Sequence, residues 1–379
     1  MSSLSQKELV RLIKSVFPGL DGDKQLAILA DVPNQAEHDT EAWRKRRAIA
    51  ESWASGLKKA ASDLNLTVQL LGYASVDSNN ADLPPTFYPV QELPQLSTEF
   101  NTDGLTAETF YTETQIILAL TQYSATAPLK VAARKYKFRA ATMPGFGEEM
   151  IPALKIDYER VNQRCQLLRK KLDNAEEARV TFDSLGETFV MHFDLRHRHA
   201  HASSGRFPDR GMAGNLPSGE TYIVPYEGEL EIPSETHGIL PVQFDDEVVL
   251  FRVKDNKAVE VMSHGAHSRS QQSYLDREPA YRNMAELGFG FLGDFGLKPI
   301  GSVLLDEKLG FHVAFGRSDH FGGAVGPSDF TSPSAVVHID RIYIKETQPL
   351  VQLQDIELAY LNSKEMIIKN GEYQIFEGI

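Results

Sequence analysis

The stretch LAILADV (26–32), followed by a helical segment from about Thr40 to Leu64 and then by TVQLLGY (67–73), decides the fold of the N-terminal half. Both short apolar runs are continuous rather than alternating, which is typical of strands buried on both faces of a sheet. Pro33 closes the first run. A strand, a helix and a second strand in this order predict a parallel βαβ unit, and so an α/β domain.

The rest of the chain divides around this unit. A first helix is predicted from Leu4 to Phe17, and an ordered loop is predicted over residues 75–94, which are rich in Asn, Asp and Pro. A helix over 152–173 leads into a half in which period-2 alternation and hairpin-sized turns dominate. We therefore predict an α/β N-terminal domain over 1–155 and an α+β C-terminal domain over 156–379, because 379 residues exceed one ordinary core.

The composition narrows the class of partner. The formal net charge of −13 disfavours nucleic acid and anionic membrane surfaces, because both are themselves negative. The single cysteine excludes an intramolecular disulfide and a thiolate metal cluster. Neither a signal peptide nor an apolar run of membrane-spanning length is visible, so we expect a soluble cytoplasmic protein.

Two C-terminal motifs contain metal-ligand residue types. In VVHID, His338 and Asp340 are two residues apart on a predicted strand, so both side chains project from one face and can reach one cation. In LLDEKLGFH, a turn between Glu307 and His312 can bring the two side chains together. Ordinary explanations exist for both motifs, since such residues also occur on solvated strand faces and in exposed turns.

Two further carboxylates strengthen the pattern. The motif AELGFG sets Glu286 among apolar and glycine neighbours, where a charge needs a cation or a proton. The motif NLPSGE leads to Glu220 at the start of a predicted strand, although a plain turn explains it equally well. Three carboxylates and two histidines in separate motifs of one domain match the ligand needs of two adjacent divalent ions.

The series NLPSGE, AELGFG, DEKLGFH and HID resembles the thermophilic aminopeptidase T family of metallopeptidases in order and approximate spacing. The resemblance covers the C-terminal half; the N-terminal half shares only its α/β character. It implies a dinuclear site for zinc, cobalt, manganese or magnesium, with two ions per chain. The implied metal ligands are Glu220, Glu286, His312, His338 and Asp340.

The catalytic residues of the family are only partly matched in this chain. Glu307 corresponds to the general base of the family. The family usually has a tyrosine after the ligand histidine, where this chain reads Arg317-Ser318-Asp319-His320. We predict that His320 replaces the tyrosine, with Asp319 as the second candidate, and that Arg317 steadies an oxyanion.

The implied function is that of a metalloaminopeptidase, a hydrolase that removes the N-terminal residue of a peptide with a metal-activated bridging water. Its partners would be a peptide with a free N-terminus and, as in the family, a second copy of the chain in a homodimer. The same residue types would also serve hydrolysis of a non-peptide amide, or a non-catalytic binding protein that a metal stabilises.

A ring-opening dioxygenase on the same scaffold is a further possible function. Such dioxygenases hold a single ferrous ion with two histidines and a carboxylate, and they carry histidine where this chain has Glu286. The acidic residues Glu220, Glu286 and Glu307 therefore favour hydrolysis over ring opening.

Three alternating histidines, His197, His199 and His201, precede these motifs. Their spacing predicts that they share one strand face. The resemblance gives them no ligand role.

Overall fold

The computed structural model describes residues 4–379 and contains mixed α and β structure, as the sequence predicts. The strands of these residues form three sheets. The chain forms two compact units. The first comprises Met1–Glu159, Ser203–Ser218 and Ile300–Leu305, and the second comprises Arg160–Ala202, Gly219–Pro299 and Asp306–Ile379. Within residues 4–379, no helix has both the length and the apolar composition that crossing a membrane requires.

The first unit is built on a seven-stranded sheet with the order β10-β6-β5-β1-β2-β3-β4. The predicted βαβ unit is confirmed, because β1 and β2 are parallel neighbours in register from Gln25 opposite Thr67 to Val32 opposite Ala74. The strands are β1 Gln25–Val32, β2 Thr67–Ala74, β3 Thr86–Val90, β4 Leu105–Thr106, β5 Ile116–Ala119, β6 Arg139–Thr142 and, much later in the chain, β10 Ala213–Asn215.

Helices surround this sheet, and their ends follow local signals. The Thr40 hydroxyl accepts a hydrogen bond from the backbone N–H of Trp43 and so caps the long second helix. The predicted segment to Leu64 is interrupted at Ala60, and the predicted loop over 75–94 contains the strand β3, which was missed. The helices are α1 Gln6–Val16, α2 Glu41–Lys59, α3 Ala61–Leu64, α4 Ala107–Glu113 and α5 Thr126–Tyr136.

After the helix that ends at Leu172 the chain becomes β-rich, as expected. An eight-stranded sheet has the order β14-β13-β12-β8-β7-β18-β19-β20, and a five-stranded sheet has the order β17-β16-β15-β11-β9. The remaining helices are α6 Tyr158–Leu172, α7 Ala266–Arg277 and α8 Val303–Asp306. The remaining strands are β7 Glu177–Ser184, β8 Glu187–Asp194, β9 His201–Ser203, β11 Glu220–Ile223, β12 His237–Phe244, β13 Glu247–Lys254, β14 Lys257–Val261, β15 Met284–Gly290, β16 Phe311–Gly316, β17 His338–Ile342, β18 Val351–Tyr360, β19 Ser363–Lys369 and β20 Glu372–Tyr373.

The alternating histidines do not share a strand face, so that prediction was wrong. The strand β8 ends at Asp194, whose carboxylate accepts hydrogen bonds from the backbone N–H and the Nε of Arg196. His197 follows with φ of +63°, in the left-handed region. The local carboxylate turn therefore competes successfully with the strand pattern.

Candidate metal centre

The candidate metal centre lies on one face of the five-stranded sheet. Residues directly opposite one another in antiparallel strands point to the same face, and here Glu286 is opposite Ala314, which is opposite Asp340. His312 is two residues before Ala314, and His338 is two residues before Asp340, so both imidazoles share this face. The register thus brings residues from three separate motifs together.

Two glycines make room for the side chains of this face. A Cβ atom at Gly288 would lie 1.8 Å from His312 Nε2, so the imidazole occupies the space over this position. A Cβ at Gly290 would lie 2.5 Å from the backbone carbonyl carbon of Lys308. The motif AELGFG therefore combines a buried carboxylate with two positions at which any side chain would collide with the site.

The ligand atoms form two overlapping groups. The first contains Glu220, Glu286 and His312, and the second contains Glu286, His338 and Asp340; within each group the ligand atoms lie within 4.8 Å of one another. Glu286 belongs to both, because its Oε1 is 3.3 Å from His312 Nε2 and its Oε2 is 3.3 Å from His338 Nε2. The five predicted ligands therefore come together in a cluster that can bind a metal ion.

Both histidines are oriented by backbone carbonyls. The Nδ1–H of His338 donates to the carbonyl of Arg317 at 2.8 Å, and the Nδ1–H of His312 donates to that of Gly310 at 3.2 Å. Each ring therefore directs Nε2 towards the carboxylates. Metal-binding histidines usually donate a hydrogen bond from the ring nitrogen that does not bind the metal, often to a backbone carbonyl.

Two buried oxygens in the cluster lack hydrogen-bond donors. Within residues 4–379, neither Asp340 Oδ1 nor Glu220 Oε2 has a hydrogen-bond partner. An unsatisfied carboxylate oxygen is costly to bury, and a cation is the ordinary remedy. The donor set and these two atoms fit a divalent metal ion.

The proton affinities of the cluster reflect its crowded charges. Burial alone would raise the pKa of Glu286, but hydrogen bonds from His312 and His338 outweigh it and hold the pKa well below its usual range. Burial alone would lower the pKa of His312, but the hydrogen bond to Glu286 and the charges of Asp340 and Glu220 raise it to about 9. The carboxylates therefore stabilise positive charge beside them, whether it is a proton on an imidazole or a metal ion.

Lys308 is a member of the site that the sequence analysis missed. Its Nζ is 2.5 Å from Glu220 Oε1 and also donates to Glu307, and its side chain is 3% exposed. Burial raises the pKa of Glu307 to about 8 despite the neighbouring ammonium. The signal available in the sequence was the apolar flank of this turn, since Leu305 and Leu309 are buried.

The other two predicted catalytic residues lie beside the cluster. The His320 ring centroid is 5.3 Å from that of His338, and burial together with the charges of His338 and Arg317 lowers the pKa of His320 to about 4. Arg317 Nε is 2.5 Å from Asp319 Oδ1, so these two residues pair with each other. In the described chain, neither Asp319 nor His320 belongs to a ligand group.

Glu227 holds the segment that carries His320. Its carboxylate accepts hydrogen bonds from Ser318 Oγ at 2.6 Å, from Asn283 Nδ2 at 2.6 Å and from the backbone N–H of Ala324. Its side chain is buried. The segment from Ser318 to Ala324 is thus fixed at both ends by one carboxylate.

Glu227→Gln is expected to loosen this segment, because the amide keeps the shape but loses the charge that these three donors share with Arg198. Hydrogen bonds to charged groups contribute about 1.5–3 kcal/mol each, so amide exchange near Ala324 should become faster while exchange in the sheet stays slow. Hydrogen exchange with mass spectrometry measures this directly. Glu229→Gln is the matched control, since Glu229 also pairs with Arg198 but accepts nothing from the segment; equal exchange in both variants would contradict the role of Glu227.

Comparison with known proteins shows a structural similarity and no sequence match. No protein-family model and no curated protein sequence matches the chain. The chain is similar to the solved structure of 2,5-dihydroxypyridine dioxygenase from Pseudomonas putida KT2440, with a TM-score of 0.61, 14% sequence identity and 98% of each chain covered. At this identity the similarity shows a shared fold.

This comparison contradicts the predicted enzyme class. We expected a metalloaminopeptidase, a hydrolase, whereas the protein with the same fold along its whole length is an oxidoreductase. The error has a physical origin, because histidine and carboxylate ligands serve both classes of metal enzyme. The resemblance to the aminopeptidase T family is not tested by this comparison and stays a prediction.

Proposed function

We propose that this protein is a metal-dependent dioxygenase that opens a hydroxylated aromatic ring. The observation that carries the proposal is a partly buried group of histidine and carboxylate ligands within a fold shared, over 98% of both chains, with a dioxygenase that acts on 2,5-dihydroxypyridine. We take a dihydroxylated aromatic ring as the substrate class. Such a reaction is balanced without a reductant, because the substrate supplies the electrons and both oxygen atoms enter the product.

A single ferrous ion held by Glu286, His338 and Asp340 fits the site. His338 Nε2 is 3.6 Å from Asp340 Oδ1 and 3.3 Å from Glu286 Oε2. Ligand atoms on one ion at about 2.1 Å are separated by at most about 4.2 Å, so small shifts are sufficient. The donorless Asp340 Oδ1 gains a partner in this arrangement.

The ligand set differs from the two-histidine pattern expected of such dioxygenases, because Glu286 stands where they carry histidine. The cluster nevertheless includes a second imidazole, as His312 Nε2 is 4.0 Å from Asp340 Oδ1. When bound, the ion would hold molecular oxygen and the aromatic diol next to each other, so that electrons can pass from the diol to oxygen. Three protein ligands leave open positions for both.

The chain's own residues have separate tasks around this centre. Arg317, through its carbonyl, fixes the tautomer and direction of His338. The rings of Phe321 and Tyr222, with centroids 4.7 Å apart, form an apolar wall, and the Phe321 ring is 5.3 Å from that of His338. This wall suits the flat face of an aromatic substrate and limits the access of water. The buried Glu307 is the group that can hold a proton of the substrate hydroxyl.

Reconstitution with ferrous iron under anaerobic conditions tests the proposal. We expect about one iron per chain and, after oxygen is admitted, uptake of one oxygen molecule for each 2,5-dihydroxypyridine consumed. Zinc-reconstituted protein is the control, because zinc has no redox chemistry and should give no oxygen uptake. Two tightly bound ions per chain, or one bound iron without oxygen uptake on any dihydroxylated pyridine or benzene, would rule the proposal out.

A further inference from the structure

We propose that the ammonium group of Lys308 takes the place of a second metal ion in this centre and restricts the protein to one divalent ion. The inference rests on the proposed function for the identity of that ion. Its test is a metal count, so it can fail while the proposed function stands.

The contacts of Lys308 are those of a bound cation. Its Nζ bridges two carboxylates, Glu220 at 2.5 Å and Glu307. The side chain is 3% exposed, so its charge is compensated by these carboxylates and hardly by water. A divalent ion between the same two residues would make the same contacts.

The backbone holds this ammonium in position. The carbonyl of Lys308 accepts a hydrogen bond from the N–H of Leu292 at 2.8 Å, and Gly290 packs against the same peptide. These contacts hold the backbone of Lys308 against the end of β15, and the two carboxylates hold its buried side chain. The positive charge is therefore a fixed part of the site.

The ammonium also weakens the first ligand group as a metal site. Glu220 is common to Lys308 and to the group of Glu220, Glu286 and His312. A second divalent ion there would share Glu220 with a buried positive charge, and like charges in a water-poor site repel strongly. Among the described residues, Lys308 forms no ion pair with Glu286, His338 or Asp340. One ion on that side is the arrangement with the least repulsion.

The test is the number of ions bound by Lys308→Met, which keeps most of the length of the side chain and removes its charge. Wild-type protein, Lys308→Met and Lys308→Arg are loaded anaerobically with cobalt(II), desalted and analysed by elemental mass spectrometry and visible absorption. We expect one ion per chain in the wild type and in Lys308→Arg, and two in Lys308→Met. One ion at saturation in Lys308→Met would overturn the inference, whereas two ions in the wild type would overturn the single-ion function as well.

A second comparison covers the case in which Lys308→Met does not fold, since it leaves two buried carboxylates without their cation. Glu220→Gln removes one partner of Lys308, whereas Glu286→Gln removes a ligand of the bound ion. We expect the count of one ion to persist in Glu220→Gln and to fall in Glu286→Gln. Equal loss in both variants would make Glu220 a ligand of the ion and contradict the assignment of Lys308.

Discussion

Replacement of His338 by alanine is expected to remove the bound ion and, with it, nearly all oxygen uptake. His338 provides the only imidazole in the group with Glu286 and Asp340, and its Nε2 is 3.3 Å and 3.6 Å from their oxygens. Loss of a residue that merely supports a ligand costs roughly 10- to 100-fold in metal affinity, so loss of the ligand itself should cost more. Iron content after desalting and the ferrous dissociation constant measure the effect.

The matched control is His264→Ala, because His264 is exposed and lies outside both ligand groups. It should retain iron at the wild-type level. Iron retained equally in His338→Ala and His264→Ala would show that the ion is held elsewhere. Addition of free imidazole to His338→Ala is a further check, since an imidazole that enters the vacated space should restore part of the affinity.

The largest loss of stability is expected from Arg139→Met in the first unit. Arg139 donates to the carboxylate of Asp23 and to the carbonyl of Pro18 at 2.7 Å, and both charged side chains are 2% exposed. Removal of one member of a buried ion pair costs about 3–5 kcal/mol, and here the buried Asp23 carboxylate would keep only the half-exposed Arg210 as a charged partner. Urea unfolding followed by tryptophan fluorescence reports on this unit directly, because Trp43 and Trp53 are the two tryptophans of the chain and both lie in it.

Arg210→Met is the control for this variant. Arg210 also contacts Asp23, at 2.7 Å, but its side chain is 47% exposed. Exposed ion pairs contribute about 0–1 kcal/mol, so the midpoint of unfolding should hardly move. A similar shift in both variants would mean that burial of Arg139 does not matter to stability.

The parts of the fold that the sequence predicts are those with a strong repeating pattern. The continuous apolar runs of β1 and β2 are long enough to identify a buried parallel pair. The strand β3 was missed because Pro89 interrupts it and its neighbours have the composition of a loop. The strand β10 has three residues and no periodic signal, so only tertiary pairing with β6 reveals it.

For the site as well, the sequence predicts the features that depend on local residue spacing and misses those that depend on tertiary structure. Period 2 predicts that His338 and Asp340 share a face, and the apolar surroundings of Glu286 predict a buried charge that needs a partner. Local residue spacing does not determine which residues of neighbouring strands lie opposite one another. The alignment of Glu286, Ala314 and Asp340 in one row is therefore known only from the structure. Lys308 was missed because an Asp-Glu-Lys turn has the same composition whether it is buried or solvated. The enzyme class was missed because ligand types do not distinguish hydrolysis from oxygen chemistry.

The two outer strands of the seven-stranded sheet have a consequence for self-association. The edges are β4, with two residues, and β10, with three, while the strands between them have four to eight. A short edge exposes few unpaired N–H and C=O groups, so another chain finds little to extend by strand addition. A fragment that stopped before Ala213 would uncover the edge of β6 at Ala140 to Thr142, which is buried in the complete chain. We therefore expect a chain that ends before Ala213 to self-associate more readily than the complete chain.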